Sequence, residues 1–180
     1  MKGSMTIAAF LLVAGVAPGL QAQASLDVDD LRAMVLEGFE KARAMDLAFT
    51  MAIPDSALRW APTSGVRTFT EQVAHAGIGN TLFVAGPVLG ETRPEAGDSA
   101  AYLNDKDALA AALNRAYDYV IAGVESLPDE AFFEETTLFG QQMPKWRVLV
   151  QALTHGIWTR GQLVPYFRMN GVAPPSYQAF

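Results

Sequence analysis

Apolar positions along the chain fall into four long segments of helical period, separated by stretches rich in proline and glycine. In the first, Leu31, Met34, Val35, Gly38, Phe39, Ala42 and Met45 recur at steps of three and four and so share one stripe. This predicts a helix from Val28 to Ala52, with Asp29 and Asp30 at the positive end of its dipole and Pro54-Asp55-Ser56 as its stop. The second segment opens on Thr68-Phe69-Thr70-Glu71, a capping-box pattern, and is expected to run through His75 to Val84, before Gly86-Pro87. Gly77 and Gly79 lie inside it. Each weakens a helix by roughly 1 kcal/mol relative to alanine, so close helix approach or room for a ligand is needed to account for them.

Residues 86–102 carry Gly86, Pro87, Gly90, Pro94 and Gly97 without any period and read as a surface loop. A third helix is expected from an Asn104 N-cap to Ser126, with Leu109, Leu113, Tyr117, Val120 and Val124 on its apolar face. Residues 127–139 read as a short turn at Pro128-Asp129-Glu130 and a polar connection. The fourth helix is predicted to begin with Pro144 at its first position and to continue through Trp146, Leu149, Leu153 and Trp158 to Met169. Pro165 should kink it near Arg160–Gln162, and Asn170-Gly171 with Pro174-Pro175 should end it. Strand signals are nearly absent. The expected fold is all-α, a four-helix bundle.

Ahead of these segments the pattern changes character. Lys2, the apolar run Met5–Val16, the break at Pro18-Gly19 and the small-x-small triplet Ala22-Gln23-Ala24 read as a secretory signal peptide over residues 1–24, cut before Ser25. The expected location is therefore periplasmic or secreted, with residues 25–180 as one bundle domain. Of the 180 residues, 51% are hydrophobic and 18% charged, enough for a core and too apolar for disorder. Mean hydropathy is only +0.15, and after the N-terminus no apolar stretch is long and uninterrupted enough to span a bilayer, so no membrane span is expected in the mature chain. There is no cysteine, which excludes disulfides, thiol nucleophiles and zinc–thiolate sites. Net charge is −6 with a pI near 4.8, and loss of Lys2 makes the mature chain one unit more negative. No basic face is available for nucleic acid.

Candidate chemistry then narrows to the only two histidines, His75 and His155. His155 and Thr159 are four apart on the fourth helix, so they share a face with Gln151; Glu71 and Gly79 flank His75 at the same spacing. If the faces meet, two imidazoles converge with a carboxylate and a hydroxyl nearby. Arg160 and Gln162 are expected to satisfy polar groups within the bundle. Gly161 is expected to let helices approach closely. Trp60, Trp146 and Trp158 read as core or pocket wall.

The run His155-Gly156-Ile157-Trp158-Thr159-Arg160-Gly161-Gln162-Leu163, followed by Tyr166-Phe167-Arg168-Met169-Asn170-Gly171 and Pro174-Pro175, resembles the C-terminal signature of the DinB/YfiT-like superfamily. Trp60-Ala61-Pro62, Arg67-Thr68-Phe69-Thr70-Glu71 and His75 are similar to the family's approach to its second helix. The resemblance implies a bundle of the up-down-down-up type with long loops, often a homodimer. It also implies a divalent metal such as zinc or nickel held by three histidines, at positions that here are His75, His155 and Thr159. The third is a hydroxyl, a poor ligand for those ions.

Three readings of the pair stay open at this point. One is a weakened site for zinc, nickel or iron, completed by water and by Glu71 or a carboxylate from the first helix such as Asp46. A second is a metal-free pocket where the imidazoles hydrogen-bond or exchange protons with an unknown small molecule. The third has both histidines as packed residues with no chemistry. Family members include metal-dependent thiol transferases and isomerases; export and the missing histidine argue against a thiol transferase here. The expected function is an exported bundle of unassigned activity with a weakened divalent-metal site at His75 and His155; the alternative is a non-catalytic small-molecule binding or dimerisation bundle that has lost the metal.

Overall fold

The computed structural model describes residues 27–176; the leader and the cut before Ser25 lie outside these residues. Helix α1 spans Val28–Ala52, capped by Asp27, whose carboxylate accepts the Asp29 N–H at 2.8 Å. A one-turn 3-10 segment at Asp55–Ala57 leads to α2, Phe69–Gly77. Its N-terminus carries the expected reciprocal cap, with Glu71 Oε2 accepting the Thr68 N–H at 2.9 Å.

The expected second helix is two pieces, α2 and α3 (Asn80–Val84), because the chain breaks at Ile78-Gly79. A Cβ at Gly79 would overlap the His75 carbonyl, and one at Gly77 would collide with Leu113 Cδ2 and lie 2.8 Å from Asp46 Oδ2. The two glycines thus let α2 sit hard against its neighbours and turn immediately after His75.

The stretch expected as loop contains a π-turn at Ala85–Leu89, ended by Gly90 in the left-handed region, and a short helix α4 at Ser99–Tyr102. Helix α5 spans Lys106–Ser126 and is capped by Asp105 rather than Asn104: Asp105 accepts the Ala108 N–H at 2.8 Å, while the Asn104 side chain donates back to Ala100 O at 2.7 Å and closes α4. After a 3-10 turn at Glu130–Phe133 comes an antiparallel hairpin, β1 (Glu135–Leu138) paired with β2 (Gln141–Pro144). The sequence pattern did not predict it. Its two-residue turn, Phe139-Gly140, has positive φ at both positions, the primed geometry that matches strand twist, without the usual Asn-Gly or Asp-Gly signal.

Pro144 is the N-cap of α6 (Lys145–Gly161), not its first helical residue. Instead of a kink there is a break, after which α7 runs Val164–Met169. Pro165 explains it, since the ring has no N–H for the Gly161 carbonyl and would clash with it inside a continuous helix. Gly161 is exposed with open space beside it, so close packing is not its role.

Helix α1 lies along α5, and α2 and α3 pack on α6, giving the four-rod bundle. Among the described residues, no helix is long and apolar enough to cross a membrane. The interior has two apolar clusters. One holds Val35, Phe39, Val120, Phe132 and Leu149, and the other Phe49, Phe69, Val73, Leu113 and Phe167. Each such side chain contributes roughly 1.5–3 kcal/mol when fully buried. Where the clusters meet sits a buried polar knot: Asp46 accepts from Arg160 Nε at 2.7 Å and from the Tyr117 hydroxyl at 2.6 Å. Asp46 and Tyr117 are wholly buried and Arg160 is nearly so. The knot joins α1, α5 and α6.

Because removing one partner strands the other charge in the core, Asp46→Ala is expected to cost about 3–5 kcal/mol in urea unfolding. The double variant Asp46→Leu/Arg160→Met should recover much of that loss. A single-variant change below about 1 kcal/mol would contradict the role assigned to the knot.

Candidate functional site

His75 stands in the last turn of α2 and His155 in the middle of α6. Gln72 ties these elements together, donating to Gln162 Oε1 at 2.9 Å and to the Thr159 carbonyl at 3.3 Å. The two imidazoles meet as the spacing suggested: Nε2 to Nε2 is 3.2 Å, with the rings edge to face at 4.9 Å between centroids. Thr159 Oγ1 lies 3.4 Å from His155 Nε2, so all three positions singled out in the sequence converge. Gly79 floors the pair, since a Cβ there would sit 3.6 Å from His155 Cε1. Phe83 of α3 covers the other side of the His155 ring at 5.1 Å and is itself met edge-on by Phe139 from the hairpin tip. Gln151 is exposed, and the pair's polar contacts do not include it.

Other expectations separate. Arg160 and Gln162 serve the bundle, as their bonds to Asp46 and Gln72 show. Trp60 packs edge-on against Tyr166, and Trp146 lies against the first apolar cluster. Trp158 is 74% exposed and is neither core nor pocket wall. It follows the helical step, being 100° round α6 from the buried Thr159.

Beside His75 opens a cavity of about 540 Å³, lined by Arg67, Ala74, Ile78, Arg93, Tyr102 and Leu103 among others. That size lies in the range of small-molecule sites. Arg67 and Arg93 were given no role from the sequence. The one signal was position: Arg67 immediately precedes the capping box, which fixes it at the mouth of α2. Arg93 donates to Thr81 Oγ1 at 2.7 Å and to Ile78 O at 3.2 Å, which holds the 93–96 loop over the cavity.

Two donor nitrogens on one zinc ion stand about 3.3 Å apart when each bond is about 2.0–2.1 Å, so the separation of the pair suits a shared ion and a hydrogen bond equally. The surrounding chemistry decides. Thr159 supplies a neutral hydroxyl, and among the described residues no group of three or more His, Asp or Glu gathers to hold an ion. Asp46 is committed to Arg160 and Tyr117, and Glu71 to Thr68 and Arg59. A ligating histidine usually passes its second N–H to an acceptor, yet His155 Nδ1 is buried without a partner among the described residues. The donor set therefore does not fit zinc, nickel or iron. A proton on His155 Nε2 avoids an orphaned N–H at Nδ1 and lets Nε2 donate to His75 Nε2.

Burial, then the positive charge of Arg67, pulls both imidazoles below their ordinary value, and His155 adds to the effect on His75. The folded chain thus resists protonation that the unfolded chain accepts. Stability is unaffected above the ordinary value of 6.5 and falls as the pH drops below it toward the lowered folded values. Thermal melts at about pH 7.5 and about pH 5.5 should show a smaller loss of Tm for His75→Gln/His155→Gln than for the wild type. Equal losses would contradict the assignment.

Two solved structures share this architecture. A DinB-like protein from Bacillus cereus ATCC 10987 is 15% identical with a TM-score of 0.69, covering 80% of this chain and 95% of its own. A DinB-like protein from Bacillus subtilis is 21% identical with a TM-score of 0.64, covering 81% and 97%. No curated protein matches the sequence. The family description of the DinB superfamily matches residues 38–163, from the middle of α1 to the end of α6 and just beyond, so it takes in both histidines and the threonine between which the site is built. The chain belongs to the DinB superfamily.

Proposed function

We propose that this DinB-superfamily chain is an exported protein that binds a small molecule beside the His75–His155 pair, and that the pair works without a resident metal ion. The observation that carries this reading is the threonine hydroxyl, 3.4 Å from His155 Nε2, where a third imidazole would be needed. The orphaned His155 Nδ1 and the nearby charge of Arg67 support it, since each disfavours a dication at that point. Two neutral imidazoles and a hydroxyl can instead accept and donate hydrogen bonds to a ligand, or pass a proton to and from it. Phe83 and Gly79 hold the His155 ring in one orientation, which such a role requires. The leader pattern of residues 1–24 supports export.

Elemental analysis of the purified, dialysed protein should find zinc, nickel and iron well below one per chain. Thr159→His should raise bound zinc or nickel to about one per chain, because it restores the missing donor on the same face. Near-stoichiometric metal in the wild type that disappears in His155→Ala would overturn the proposal. For export, N-terminal sequencing of the protein recovered outside the cytoplasm should begin at Ser25; a start at Met1 would refute the cleavage.

A further inference from the structure

We infer that the cavity beside His75 is an anion subsite that takes the carboxylate of a small organic acid, with Arg67 as its principal binding residue. The inference rests on the small-molecule reading of the histidine pair and names the ligand class. Acidic residues outnumber basic ones 19 to 13, and four of the nine arginines pair with a carboxylate among the described residues. Arg32, Arg43, Arg59 and Arg160 each reach a carboxylate. Arg67 and Arg93 reach none among the described residues, yet both line the same cavity.

A third such arginine stands behind the loop. A smaller cavity of about 170 Å³ shares Ile78, Pro94, Glu95 and Ala96 with the first and adds Arg115, whose guanidinium donates to the Ala96 carbonyl at 3.4 Å. The loop from Arg93 to Ala96 is thus pinned from both sides by arginines that spend their donors on neutral oxygens.

Carboxylates at the rim do not cancel this charge. The Glu71 carboxylate is already engaged by the Thr68 N–H and by Arg59, which hold its carboxyl below the usual range. Glu95, exposed on the loop, opposes an anion, but the same lining holds both Arg67 and Arg93. Arg67 also stands near enough for its charge to reach both imidazoles, so an anion bound to it lies within the field of the histidine pair. Charge-assisted hydrogen bonds from guanidinium to carboxylate are the strong, directional kind. Tyr102, Leu103, Ile78 and Ala74 supply an apolar wall for the rest of such a molecule.

The test is calorimetric titration of succinate and of benzoate into metal-free wild-type protein, with Arg67→Gln, His75→Gln and Arg168→Gln beside it. At least one acid should bind saturably, and Arg67→Gln should weaken it about tenfold or more. Arg168→Gln, an exposed cation away from this cavity, should leave binding unchanged. No saturable binding up to concentrations on the order of 10 mM, equal affinity in wild type and Arg67→Gln, or an equal loss in Arg168→Gln would each overturn the inference. His75→Gln separates it from the reading it rests on: binding that needs Arg67 but is indifferent to His75 keeps the anion subsite and removes the histidines from it.

Discussion

The structure depends most on the buried contact of Asp46 with Arg160 and Tyr117. A charged pair in an apolar interior is tolerated only when its geometry is good and its remaining hydrogen-bonding groups are met. Asp46 meets that condition with one oxygen for Arg160 Nε and the other for the Tyr117 hydroxyl, and the Arg160 guanidinium also reaches the Ala42 carbonyl. The knot therefore has one workable arrangement, and it sets the rotation of α6 about its axis. With Arg160 turned inward, Thr159 and His155 are carried to the face that meets α2. Gly77 completes the fit, because only a residue without a side chain lets α2 pass over Asp46 and Leu113 at that distance. The histidine pair is downstream of this packing.

How much of this was readable in the chain follows from the range of the interactions. Periodicity reports what a local segment buries, so α1, α5 and the bulk of α6 were legible to within a residue or two. The reciprocal cap at Thr68 and Glu71 is local and was legible too. The hairpin at 135–144 was not, since its strands are four residues each and Phe139-Gly140 lacks the usual turn chemistry. The break at Gly79 was missed for a related reason: glycines within an apolar period signal a constraint without saying which backbone they approach.

At the site, the same division holds. Spacing of four on one helix put His155 with Thr159, and that pairing could be stated in advance. Whether His75 would face them depended on Gln72 bridging to Gln162 and Thr159, a contact across nearly ninety positions of chain that no local pattern contains. Arg93 was invisible for the same reason, and Arg67 showed only by its place before the capping box. Each is an ordinary polar residue next to a proline- or cap-rich segment, and their significance lies in the one cavity they share. Trp158 shows the converse, for an apolar residue in a helical stripe reads as buried until the 100° step past Thr159 turns it to solvent.

A dication and an organic anion make opposite demands on one place in the fold. A divalent ion wants imidazole lone pairs, a carboxylate and an outer shell that accepts the spare N–H groups. Here the third donor is a hydroxyl, the candidate carboxylates are spent on Arg160 and Arg59, and the charge that reaches both imidazoles is that of a guanidinium. Each departure alone would weaken a metal site. Together they turn the local field against a cation while leaving the bundle's packing untouched, because that packing rests on the Asp46–Arg160 contact, and Thr159 and Arg67 lie outside it. The scaffold and the chemistry of its cleft are therefore separable in this chain, and a threonine at position 159 is consistent with a fold kept intact around a changed ligand.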